Sequence, residues 1–424
     1  MKTKIKIYTI MLLWLLIPIG NTMAQTQQLE EPLQGYLKIA AENNPELKSI
    51  FNSYLATLER IPQARALPDP TVMFNIFASP VETRVGAQNA GISLSQAFPW
   101  FGQLKSQEQA VAMLAKARFE AFEDAKNQLF FDVRSTYYDL YVLQAAISIT
   151  DENVRLLESF KQLANVRLES NTGSAVDLLR VEMDLDELNN QLLYLEDSRD
   201  PIQARFNELL NLEEPIPINV PDTLNTLAFD EGKNVLLDSI ITHNPTLKGF
   251  DYEMSALDAE VDVAQKMGLP SFNLGLSYIN ISPRTDVADF SGNGKDALIF
   301  PQVGVRIPLY RGKYRAMVKE KELLKTSVEN RKESRENKLE TALEQSWRDY
   351  ADAQRRVGLY NRLIAYATQS LDILVAQYTT AGADFEEVLR MERQLLRYEL
   401  ELEKARADQN TFVAYINYIT GKQF

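Results

Sequence analysis

Apolar and polar residues alternate in four short segments. Phe272, Leu274, Leu276 and Tyr278 are interleaved with Ser271, Asn273, Gly275 and Ser277, and Val303, Val305 and Ile307 with Gln302, Gly304 and Arg306. Earlier, Val72, Phe74, Ile76 and Ala78 define one face, blurred by Met73 and Phe77 on the other, and Ile92 and Leu94 lie between Ser93 and Ser95. A period of two sends successive side chains to opposite faces, so strands are predicted at about 70–78, 90–98, 271–280 and 300–308. An ordinary sheet with one wet face fits this alternation as well as a lipid-facing one does. The lengths and flanks favour lipid. Each segment is close to the ~9–11 residues that cross a bilayer at a tilt, polar stretches (Ser79 to Asn89 and Ser282 to Lys295) are expected to join each pair as loops, and Trp100, Phe101 and Tyr310 stand at strand ends where interfacial aromatics belong. Strands in lipid must close into a barrel, and barrels begin at ~8 strands. This chain needs sister copies to close one.

Between and after the strands, the apolar spacing becomes helical. No proline occurs between Pro99 and Pro201, or after Pro308, and proline is what a helix interior excludes. Helices are predicted at about 103–170, 174–210, 313–379 and 383–420. At 1.5 Å per residue the first would reach ~100 Å. Val133, Leu140, Ile147 and Val154 recur every seven residues, as do Val388, Leu395 and Leu402, which sets an apolar seam against a neighbouring helix. Charges such as Glu123-Asp124 and Arg331-Lys332-Glu333 fit solvated faces. Short reversals are expected at Asn171-Thr172-Gly173-Ser174 and Thr379-Thr380-Ala381-Gly382, with glycine as the left-handed cap and Ser174 or Asp384 capping the next helix.

The two halves repeat one plan. Asn44-Pro45-Glu46-Leu47-Lys48 returns as Asn244-Pro245-Thr246-Leu247-Lys248, Leu67-Pro68 as Leu269-Pro270, and Phe98-Pro99 with Gly102 as Ile307-Pro308 with Gly312. Gly173 with Leu178-Leu179-Arg180-Val181-Glu182 returns as Gly382 with Val388-Leu389-Arg390-Met391-Glu392. The period exceeds that of solenoid repeats, so one ancestral unit is duplicated. Residues 25–215 form the first repeat and 216–424 the second, with a proline-rich connector from Asn211 to Asp230. The expected fold is mainly α with a small β part, built from a duplicated helix–strand–strand–helix unit.

The N-terminus adds a compartment. Lys2, Lys4 and Lys6 precede the apolar run Ile10 to Ile19, and Thr22-Met23-Ala24 offers a cleavage site, so residues 1–24 read as a signal peptide. The formal charge is −13, and losing those lysines makes it more negative, so a nucleic-acid footprint is not expected. The absence of cysteine excludes disulfides, thiolate metal sites and a lipidated N-terminal cysteine. His243 is the single histidine and reads as a turn residue. No catalytic set, metal site or cofactor is expected. A soluble periplasmic coiled-coil scaffold or adaptor would explain the helices but not the strand pairs.

The ordered plan, together with Ala97-Phe98-Pro99-Trp100-Phe101-Gly102-Gln103-Leu104 and the Leu-Arg-x-Glu sequences after each hairpin, resembles the TolC-type outer-membrane efflux proteins over essentially the whole mature chain. Phe98 to Gly102 is similar to the branch serving heavy-metal pumps. The resemblance implies a homotrimer whose twelve strands form one transmembrane β-barrel in outer-membrane lipid, continued by a helical coiled-coil tunnel in the periplasm. It implies a passive duct, fed by an inner-membrane pump and a periplasmic adaptor. It places adaptor docking at the hairpin tips, on Arg167, Leu168 and Gly173 of the first and Tyr378 and Gly382 of the second. It also places an acidic constriction at Glu387, preceded by Glu386. The second acid of that pattern is replaced by Arg390, which leaves Glu387 able to pair with it.

Overall fold

The structure is a computed structural model that describes residues 31–214, 216–286, 288, 291–380 and 384–422. The signal segment 1–24, Pro215 and Gly382 lie outside the described residues. The first half contains α1 (Glu31–Asn43), α2 (Pro45–Leu58), α3 (Arg60–Arg65), β1 (Thr71–Thr83), β2 (Gly86–Phe98), α4 (Gln103–Glu169), α5 (Ala175–Asp197) and α6 (Arg199–Leu210). The second contains α7 (Lys233–His243), α8 (Pro245–Met267), β3 (Ser271–Ser282), β4 (Ala297–Arg306), α9 (Arg311–Thr379) and α10 (Phe385–Thr420).

The four strands make one antiparallel sheet in the order β1-β2-β3-β4. Val72 faces Leu94, and Leu94 faces Leu276; Phe74 faces Ile92, and Ile92 faces Tyr278. Leu274 faces Val303 and Phe272 faces Val305. Cross-strand partners share a face, so these residues form one continuous apolar surface. Its members stay open, with Phe74 73%, Leu274 43% and Val303 66% exposed. The opposite face carries Asn75, Ser93, Ser95, Asn273, Ser277 and Gln302. Both β1 and β4 have a free edge.

The strands of the first pair run further than the alternation indicated. Ser79 to Asn89 is not a loop: β1 continues to Thr83 and β2 starts at Gly86, joined through Arg84-Val85. Pro80 lies where the β1–β2 register shifts, between Ile76 and Val81, and a bulge tolerates a residue without an N–H. Gly86 is required there. Its φ is +133°, and a Cβ would meet the Ser282 carbonyl oxygen at 1.8 Å. The helix expected over 174–210 is divided at Ser198, because a continuous helix would drive the Pro201 ring into the Asp197 carbonyl.

α4 is 67 residues long and α9 is 69. The heptad positions Val133, Leu140, Ile147 and Val154 are all buried, as are Val388, Leu395 and Leu402, so the seams are packed within the chain itself. One core gathers α1, α4 and α6 around Tyr141, Phe206 and Leu210. Another joins α7 and α8 to α9 and α10 around Ile240, Leu247, Leu343 and Ile416. The third lies at the hairpin ends.

The repeated Asn-Pro motif closes each half. Asn44 and Asn244 are N-caps, accepting from Leu47 N at 3.0 Å and Leu247 N at 3.2 Å, with proline at the first helical position. Their Nδ2 groups donate onward to the last helix of their own half, Asn44 to Leu209 O at 3.4 Å and Asn244 to Ile419 O at 2.9 Å. His243 precedes this cap, and its carbonyl oxygen lies 2.6 Å from where a Cβ on Gly421 would stand. Asn244→Ala should destabilise the folded protein by about 1–3 kcal/mol, and Asn44→Ala by less, as its second bond is longer. Denaturant titration in detergent checks this; equal or reversed effects would refute it.

Candidate functional site: the hairpin tips

α4 ends in a tight cap. Thr172 N and Gly173 N both donate to the Arg167 carbonyl oxygen at 2.9 Å. The left-handed residue is Asn171, with φ 55°, and not Gly173 as expected; asparagine tolerates that region. Gly173 is needed for closeness instead, since a Cβ there would lie 2.8 Å from Arg167 Cβ and 3.1 Å from its carbonyl carbon. Ser174 caps α5 by accepting from Val176 N at 3.1 Å. On the second hairpin, Asp384 accepts from Glu386 N at 3.1 Å.

Arg167 joins the two hairpins. Its guanidinium lies 4.2 Å from the centre of the Tyr378 ring, and it donates to the Tyr378 carbonyl oxygen and, at 2.7 Å, to Thr172 O. Tyr378 donates its hydroxyl to Asp177 Oδ2 at 3.4 Å, and its ring packs 4.8 Å from that of Phe385. Phe385 in turn packs edge-on to Phe160. Burial, and then the Asp177 charge, push the Tyr378 phenol upward. A partly desolvated cation over an aromatic face contributes ~0.5–2 kcal/mol. Tyr378 is 3% exposed, so it supports the tip from beneath and presents no docking surface of its own. Arg167, Leu168 and Gly173 are half-buried, and Val166 beside them is 62% exposed.

The acids beyond the second turn are paired. Glu386 sits between Arg180 at 3.4 Å and Arg393 at 3.2 Å, and Arg393 also reaches Asp184 at 3.5 Å. Glu387 faces Arg390 at 3.5 Å with both side chains exposed. Such exposed pairs contribute at most ~1 kcal/mol each, so they set local charge more than stability. Sequence reading missed Asp177, Arg180, Asp184 and Arg393. Arg393 lay within reach, because it is two helical turns from Glu386 on one face; the α5 partners depend on tertiary packing.

At the other end, the Phe98-to-Gly102 segment builds an aromatic junction. Trp100 stacks on Phe272 with centroids 6.1 Å apart, and Phe101 lies 6.2 Å from Phe272. Phe101, Leu309 and Tyr310 remain 78–85% exposed. Among the described residues, no group of three or more His, Asp or Glu could hold a metal ion, and no helix is long and apolar enough to cross a membrane.

Residues 36–212 match the family model of outer membrane efflux proteins. The chain is 23% identical over 265 residues to toxin and drug export protein A of Aggregatibacter actinomycetemcomitans, covering 62% of this chain and 56% of that protein. It is 24% identical over 207 residues to the pyoverdine export outer membrane protein OpmQ of Pseudomonas putida, covering 47% of this chain and 43% of that one. The chain thus spans about half the length of the curated relatives it matches. In fold it is similar to CusC, with a TM-score of 0.77 at 15% identity over 93% of this chain and 92% of that one. It is likewise similar to VceC of Vibrio cholerae, with a TM-score of 0.73 at 16% identity over 93% and 97%. Residues 36–212 thus resemble the outer membrane efflux proteins, and the chain as a whole shares its fold with CusC and VceC.

Proposed function

We propose that the protein is the outer-membrane channel of a tripartite efflux assembly, a homotrimer through which cargo passes after delivery by an inner-membrane pump and a periplasmic adaptor. The observation that carries this reading is the sheet: four strands, one continuous exposed apolar face, a polar opposite face and two unpaired edges. Such a surface is costly in water, and its open edges are costly in lipid. Lipid against the apolar face removes the first problem, and pairing β4 of one copy with β1 of the next removes the second. Three copies give twelve strands, enough to enclose water. The polar residues then line the pore, and Phe101, Leu309 and Tyr310 lie at the membrane boundary. A soluble coiled-coil scaffold would leave the apolar sheet uncovered.

The helices support the same assembly. Leu359, Tyr366 and Ile373, spaced by seven on α9, are 42%, 63% and 56% exposed, and Val176, Leu179 and Met183 on α5 are 52–70% exposed. Stripes of this kind pack against neighbouring helices, here those of sister copies. The duct is passive. Its tips dock the adaptor through the half-buried first hairpin and Val166, while Arg167 and Tyr378 hold the two hairpins together. Glu387 lies near the threefold axis with Arg390 beside it, so the constriction carries mixed charge.

Planar-bilayer recording tests this. The purified trimer should conduct, and Glu387→Gln should change its cation selectivity or block, because three carboxylates around one axis favour cations. A protein that never conducts would refute the duct. Identical recordings for the variant would remove Glu387 from the pore.

A further inference from the structure

Glu392 occupies a core position of α10. It lies four residues after Val388 and three before Leu395, both buried, and is itself 1% exposed. Neither of its carboxyl oxygens has a hydrogen-bond partner. The corresponding acid of the first repeat, Glu182, lies at the surface and pairs with Lys161 at 2.9 Å. A buried carboxyl without a partner is costly, and far more so ionised than neutral.

The groups around it explain what it can do. From α5, the Asp184 charge opposes ionisation of Glu392; Asp184 Oδ2 has no hydrogen-bond partner, while Oδ1 looks to Arg393 at 3.5 Å. On α10 itself, Arg393 favours ionisation of Glu392 and Glu399 opposes it. α4 brings Asn153, buried and hydrogen-bonded to its own helix, and Glu152, which acts on Glu399. α9 contributes Leu371 to the core that also holds Val388 and Leu395, while its neighbour Asp372 is exposed. One cation, Arg393, therefore stands beside the buried Glu392 and the half-buried Asp184, and it is shared with Glu386.

We propose that Glu392 is a proton-operated latch, which lets α10 stay packed against α5 just behind the tips while its carboxyl carries a proton and loosens them when the proton leaves. The latch regulates the opening of the duct and in that consequence rests on the duct reading. Burial, followed by the Asp184 charge, pushes the Glu392 carboxyl up to about 7. The packed tip thus binds a proton that a loosened, hydrated tip releases in the ordinary carboxylate range. The packed form is favoured at acid pH and loses that advantage as pH rises through about 7.

The chain contains no cysteine, so Glu169→Cys at the exposed end of α4 gives a single spin-label site. Label-to-label distances across the detergent-solubilised trimer are measured from pH 5.5 to 8.5. The wider population should grow about fivefold or more across that range with a midpoint near 7. E392Q should flatten the response, and D184N should move the midpoint to lower pH by removing the charge that opposes ionisation. A trimer with distances independent of pH, or E392Q responding like the parent protein, would overturn the latch alone; failure to form a trimer would overturn both the latch and the duct.

Discussion

Leu274→Arg should abolish stable trimers in the membrane fraction, and Val305→Arg on the adjacent strand should do the same. Leu274 is paired across the sheet with Val303, and Val305 with Phe272, on the face without a polar member nearby. Arginine on a lipid face costs about 2–4 kcal/mol near the bilayer midplane, and a trimer incurs it three times. The cost is comparable to the 5–15 kcal/mol by which whole proteins are stable. Asn273→Arg, one residue along and on the opposite face, should still assemble because its side chain would meet pore water. Trimer yield on semi-native gels of outer membranes distinguishes the two. Equal yields for Leu274→Arg and Asn273→Arg would contradict the facing assigned to the sheet.

Gly173→Val should abolish export while leaving the trimer intact. The added carbons would collide with Arg167 Cβ and with its carbonyl carbon. That carbonyl accepts from both Thr172 N and Gly173 N, so the hairpin must re-form around a displaced Arg167. The displacement would also move the guanidinium off the Tyr378 ring. Overpacking of this kind costs about 1–3 kcal/mol, spent at the tip and far from the barrel. Cells carrying the matching pump and adaptor should lose cargo resistance at least tenfold with unchanged trimer yield. Normal resistance would remove the tip from docking.

Much of the fold is legible in the sequence, for a physical reason. Strand alternation survives in the sequence because the two faces of the sheet differ, one open and apolar and the other largely polar, and the long helices show as proline-free stretches with seven-residue seams. The Asn-Pro repeats were visible, but not their second role, since the bonds from Asn44 to Leu209 and Asn244 to Ile419 span most of a repeat. The loop expected from Ser79 to Asn89 is strand instead, because the β1–β2 register shift accommodates Pro80. Gly173 looked like a left-handed cap, whereas Asn171 takes that conformation and the glycine permits a close approach. The contact between Arg167 and Tyr378 joins residues 211 positions apart, which no local pattern encodes. Glu182 and Glu392 occupy matching places in the repeat, yet one is wet and the other is sealed in a core. Residue type alone does not reveal which way a helix is turned.

A single copy leaves both edges of its four-stranded sheet unpaired. Native mass spectrometry of the mature chain extracted from outer membranes should give three copies per particle in detergent, with aggregation when the detergent is withdrawn. A monodisperse single chain, soluble in plain buffer with its sheet intact, would contradict the trimer.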